Sequence, residues 1–164
     1  MRRWLALLAG VAALALVNAT IVARERVLAD GRVVLLELAP VDPRSLMQGD
    51  YMALRFRAAN DVLSRGGGPV PADGRLVLAV DAGEVGTFRR LDDGAPVAPD
   101  EVLVRYRIRD GVVKLATNAF FFEEGQGSRY AGARYGEMRV APDGDAILTG
   151  LRDAQRTPLG AAKQ

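Results

Sequence analysis

The chain has 164 residues, 26% of them charged, a formal net charge of +2, and neither cysteine nor histidine. That length suits one domain with its own core. The missing cysteine excludes disulfides, thiol catalysis and thiolate metal sites, and the missing histidine removes the usual general base and the commonest zinc ligand. Chemistry would have to run on carboxylates, Ser/Thr, Tyr, Lys or Arg, which weighs against an enzyme, and neither a metal nor a cofactor is expected.

Arg2 and Arg3 precede an uncharged run from Trp4 to Ala23, closed by Arg24-Glu25-Arg26. Roughly twenty apolar residues are what a helix needs to cross the hydrocarbon core of a bilayer. The h-region of a secretory signal is shorter, about 7–15 residues. Residues 1–26 are therefore read as an uncleaved signal-anchor helix, in preference to a leader cleaved after Val17-Asn18-Ala19. Basic residues flank both ends, so charge alone does not orient the span. A short leading segment before one span favours a body outside the cytoplasm, which is a periplasmic domain on a bacterial inner membrane. Taking Arg2, Arg3, Arg24, Arg26 and Glu25 from the 22 basic and 20 acidic residues leaves 18 against 19, a net charge of −1. The basicity belongs to the anchor, and nucleic acid is not an expected partner.

Val33 to Pro43 reads as a short apolar strand stopped by Pro40 and Pro43. After it Met52, Leu54 and Phe56 alternate with Tyr51, Ala53, Arg55 and Arg57, a period of two that predicts a strand with one buried face. Ala58 to Ser64 suits one helical turn, and Arg65 to Gly74 is a loop by composition. Strands are expected at Arg75–Asp81 and Val85–Leu91. Asp110-Gly111 predicts a hairpin that turns Val102, Val104, Tyr106 and Ile108 inward and Leu103, Arg105, Arg107 and Arg109 outward. The Phe120-Phe121-Phe122 run reads as buried, and the glycine-punctuated stretch after it as one short helix. A second hairpin centres on Pro142-Asp143-Gly144, and residues 154–164 read as a flexible tail. The expected fold is mainly β over residues 27–153, a sandwich or partly open barrel with one or two short helices, on the N-terminal helix.

Gly49-Asp50-Tyr51-Met52-Ala53-Leu54-Arg55-Phe56 resembles the signature of the bacterial membrane-anchored family named for its GDYXXLXY motif, with Phe56 in place of the last tyrosine. The likeness continues upstream in PVDPRSLMQGDY and downstream in FFFEEGQGSRYAGARYGEMRV and GDAILTGLRD. It implies a single-span protein of the cell envelope that works beside a multi-pass membrane protein, and it carries no catalytic residues. A fainter likeness to signal peptidases aligns Gly49-Asp50 with the Gly-Asp that follows their nucleophilic serine. Val41 then takes the nucleophile's position, and a Ser–Lys mechanism would need Ser45 as a displaced nucleophile with Lys114 as its base.

Three groups of residues are candidates for a site. Gly49, Leu54 and Phe56 read as structural, with Gly49-Asp50-Tyr51 forming a corner that sets strand register, while Asp50 and Tyr51 also offer a docking pair. Arg55, Arg57, Arg105, Arg107 and Arg109 form two outward rows that repel one another if their strands are neighbours, unless Glu101, Glu123, Glu124 or Glu137 stands between them. Glu123, Glu124, Tyr130, Arg134, Tyr135 and Glu137 make the densest titratable cluster, suited first to ion pairing, then to partner binding, and last to carboxylate chemistry or a hard cation. The preferred reading is a non-catalytic interaction module for a membrane or envelope partner; the alternative is an envelope hydrolase. A pocket where Asp50, Glu123, Glu124 and Glu137 converge would favour the hydrolase.

Overall fold

The computed structural model describes residues 2–39, 47–48, 51–65 and 70–160. Helix α1 (Arg2–Asp30) is rich in Ala and Leu and contains no proline. Its Leu7–Asp30 stretch is long and apolar enough to cross a membrane, and the most apolar window of that stretch buries nothing against the rest of the chain. The helix runs four residues past the boundary expected at Arg26. Its last turn is fastened to the domain: Val27 is buried, the Gly31 amide bonds the Val27 carbonyl at 3.0 Å, and Arg139 donates to the Gly31 carbonyl at 3.1 Å.

The rest of the described chain is mainly β. Strand β1 (Arg32–Glu37) follows the helix directly and is central to a sheet of eight. The other members are β4 (Asp73–Val80), β5 (Val85–Leu91), β6 (Glu101–Arg109), β7 (Val112–Leu115), β9 (Tyr135–Val140), β10 (Ala146–Arg152) and β11 (Pro158–Leu159), in the order β11-β10-β9-β1-β5-β4-β6-β7. Only the β1–β5 pairing in this sheet is parallel. Three strands make a second sheet, β2 (Met47–Gln48), β3 (Tyr51–Ala53) and β8 (Ala119–Phe121), in the order β2-β3-β8. A bridge between Leu38 and Phe56 and the Ala39 amide bonded to the Arg55 carbonyl at 2.7 Å join the two sheets.

The large sheet curls. The Arg105 amide on β6 bonds the Gly144 carbonyl at 2.9 Å, so the β9–β10 turn closes against a strand far from it in sheet order. Inside the curve lie Val34 and Leu36 of β1, Leu76 and Leu78 of β4, Val104 and Tyr106 of β6, and Met138 and Val140 of β9. Helix α2 (Arg57–Arg65) covers one side with Ala58, Ala59 and Val62, spaced to share a helical face. The alternations anticipated for Met52, Leu54 and Phe56 and for Val102, Val104 and Tyr106 are observed, each of these residues being buried.

Three local expectations change. The helix after Phe56 has nine residues instead of a single turn, because its small-residue face has a core to pack on. The phenylalanine run is not buried: Phe121 is 73% exposed, and Phe120 and Phe122 are half-buried. From residue 154 to residue 160, the last one described, the chain folds back onto the sheet, since Leu159 pairs with Leu151 and Pro158 with Arg152. The Asp153 carboxylate holds that return, accepting the Gln155 amide at 2.9 Å and the Thr157 amide at 2.8 Å.

Candidate functional site

The signature octapeptide enters the small sheet. Gly49 and Asp50, and upstream Val41 and Ser45, lie outside the described residues, so the corner and the Ser45–Lys114 pair are not described. The flanking pairing Gln48↔Tyr51 is present. From Tyr51 onward the motif divides by face. Met52, Leu54 and Phe56 are buried to 3%, 2% and 2% exposure, whereas Tyr51 and Ala53 are half-buried and Arg55 is exposed.

Phe56 shows why this motif and the downstream Tyr135-Gly136-Glu137-Met138 block go together. A Cβ on Gly136 would lie 2.8 Å from the Phe56 ring and 3.1 Å from Leu148. Gly136 therefore opens the space in β9 that the ring fills. Helix α2 starts directly after Phe56, whose carbonyl accepts the Ala59 amide at 3.0 Å.

The outward side is aromatic. Tyr51 and Phe121 are register partners with ring centroids 5.9 Å apart. Behind them Tyr130 meets Phe120 edge-on at 5.0 Å and stacks on Phe122 at 5.4 Å. The short 3-10 turn Gly127–Tyr130, where one short helix was expected, brings Tyr130 there. A groove of about 350 Å³ runs along this edge, lined by Phe120, Phe121, Ile147 and Leu148 and by Arg24 of α1.

Among the described residues, the acidic candidates Glu123, Glu124 and Glu137 do not share a groove. Glu137 on β9 receives Arg152 Nε at 2.6 Å and the Thr149 hydroxyl at 3.1 Å, and both partners belong to β10. Thr149 reaches it because β10 bulges between Leu148 and Gly150. Glu123, Glu124 and Arg134 are exposed and Tyr135 is half-buried at the start of β9. Glu123, Glu124 and Glu137 line none of five grooves of about 210 to 600 Å³ formed by the described residues. Among the described residues no three Asp or Glu side chains gather closely enough to hold a metal ion. Lys114 is exposed on β7.

Four of the row arginines, Arg57, Arg105, Arg107 and Arg109, pair with carboxylates other than those anticipated. Arg57, at the start of α2, pairs with Glu37 at 2.9 Å, and this bond holds its guanidinium above the ordinary value. Arg105 reaches Asp143 at 3.2 Å and Asp145 at 3.0 Å, and Arg109 reaches Asp73 at 3.1 Å. Glu101 instead turns to β5, meeting Arg89 at 3.1 Å and Arg90 at 3.7 Å while accepting the Ala98 amide at 3.0 Å. Sequence reasoning treated Glu101 only as a spacer between arginines, yet it is the one buried charged residue among those described. Its signal was an acid opening a strand whose next three residues, Val102-Leu103-Val104, are apolar, while β5, one strand beyond β4, carries Arg89-Arg90.

A mainly β domain on an exposed apolar helix, with an ion-paired surface and an aromatic edge, defines the class of molecule. Within it, the chain belongs to the GDYXXLXY protein family, whose model matches residues 13–151. No curated protein and no solved structure matches it.

Proposed function

We propose that this is a single-span protein of the bacterial inner membrane whose domain stands in the periplasm and serves as a non-catalytic interaction module for a membrane or envelope partner. The observation that carries the reading is α1, apolar and unburied along its span and continuous with β1 through Gly31. An unburied run of that length is stable inside a bilayer and costly in water. The helix leads into a domain whose charged candidates are ion-paired, as Glu137 is to Arg152, or spread over the surface, as Glu123 and Glu124 are. Such a surface suits recognition better than bond cleavage.

The test has two parts. The full-length protein is expected to stay with membranes through alkaline carbonate washing, with an intact Met1-Arg2-Arg3 terminus by mass spectrometry. A mature species beginning near Thr20 contradicts the anchor. Crosslinking in intact cells, followed by purification of the full-length chain, is expected to recover a reproducible membrane or envelope partner. A chain that crosslinks to nothing above background, yet cleaves a peptide or glycan when purified, contradicts the module.

A further inference from the structure

Phe121 is the most exposed aromatic side chain of the domain, at 73%, and it sits at a particular height. Arg24 is the first charged residue after the apolar run, so it marks where α1 leaves hydrocarbon for the headgroups. Arg24 and Phe121 line the same groove of about 350 Å³, together with Ile147 and Leu148 at the start of β10. From Arg24 to Asp30 the helix rises only about 9 Å, and no linker separates it from β1. The headgroup layer on each side of a bilayer is about 5–8 Å thick. The edge of the small sheet thus lies at the depth of that layer.

From this juxtaposition we infer that the Phe121 edge, with the Tyr51 ring beside it, is a second membrane contact, seated in the headgroup layer of the bilayer that holds α1. The inference rests on α1 being inserted. Continuity with the helix argues for lipid as the occupant, because any surface beside Arg24 meets the bilayer before it meets a partner. The chemistry agrees: an aromatic ring rimmed by aliphatic side chains, with a guanidinium in reach of lipid phosphate, suits the boundary between acyl chains and water. Seated there, the ring fixes the tilt of the domain on its helix, so that one face of the domain always looks away from the membrane.

The chain contains one tryptophan, Trp4, so a Trp4→Phe background gives a silent protein into which a reporter can be placed. Phe121→Trp in that background, full length, is reconstituted into vesicles of phosphatidylethanolamine and phosphatidylglycerol carrying bromines high on the acyl chains. Val112→Trp serves as the distant reporter: Val112 is 39% exposed and lies at the far end of β7 from Ala116, which also lines the groove. Tyr51→Trp provides a second reporter should Phe121→Trp misfold by circular dichroism. Flotation of the vesicles reports insertion of α1 independently. The indole at 121 is expected to lose about half its emission to the bromines and the indole at 112 none, the contrast set by a layer only a few ångströms deep. Protein that floats while the indole at 121, or at 51, stays unquenched overturns the contact and leaves the anchor standing; a partner protein then becomes the occupant to seek. Protein that fails to float overturns both readings.

Discussion

The two faces of the signature strand have opposite surroundings. Met52, Leu54 and Phe56 enter a core shared with β1, β4, β6 and β9. One residue out of step, Tyr51 and its partner Phe121 form an aromatic edge close to the helix exit. A shift by one residue would exchange the two sets, so the motif encodes a register as much as a surface. A short family signature can therefore combine fold determinants with contact residues, and the two separate by burial.

The largest effect expected is on the buried face. Phe56→Ala should lower stability by about 3–5 kcal/mol, because it removes a fully buried ring and leaves its space beside Gly136 empty. Urea unfolding of the full-length protein in detergent micelles measures this. A loss below about 1 kcal/mol would break the division between faces at its strongest point.

Gly136→Ala approaches the same contact from the other side. Its Cβ would press on the Phe56 ring at 2.8 Å, so a cost of about 1–3 kcal/mol is expected by the same assay. Pairing it with Phe56→Leu sharpens the comparison: the combined loss should be smaller than the sum if ring and glycine share one space.

The ion pairs come next. Glu101→Gln keeps the bond from the Ala98 amide but leaves Arg89 and Arg90 without their buried counter-charge, and about 1–2 kcal/mol is expected. Urea unfolding at two salt concentrations checks it, since much of the Arg89 side is in solvent and its share should fall with salt.

The smallest effect is in pH. Burial, and secondarily Asp73, pushes the Tyr106 phenol above its ordinary value of 10.0. The folded state then keeps a proton that the unfolded state releases, so stability is whole below the ordinary value and falls as pH rises through the raised one. Tyr106→Phe should flatten this alkaline decline in melting temperature between pH 9 and pH 11, without changing the neutral value by more than a small offset. An equally steep decline in both proteins would contradict the burial of the phenol.

Much of this fold was legible from patterning. Val85–Leu91 was anticipated to the residue, the Asp110-Gly111 turn falls where the dipeptide predicts, and both of its residues have positive φ, 54° and 72°. What failed did so for tertiary reasons. Phe120-Phe121-Phe122 looked buried because hydrophobicity was counted without register; in a strand of three, neighbours face opposite ways. The strand at Pro158–Leu159 was hidden because its support is one carboxylate, Asp153, turning two amides back toward β10. Asp81 does the same for the Gly83 and Val85 amides, and Arg156 bonds the Gly83 carbonyl at 3.2 Å, so two similar turns brace each other. The candidate acids were chosen by density along the chain. Pairing sent Glu137 to Arg152 and left Glu123 and Glu124 on the surface, and linear density does not show pairing.

The most direct test of the two-faced motif compares Leu54→Ala with Phe121→Ala in one urea series on the full-length protein in micelles, followed by far-ultraviolet circular dichroism. Leu54 is 2% exposed and Phe121 73%, although they belong to the same small corner of the domain. The account predicts a loss of about 2–5 kcal/mol for Leu54→Ala and a change within about 0.5 kcal/mol for Phe121→Ala, with equal denaturant slopes. Equal losses in the two variants, or a larger one at Phe121, would contradict it.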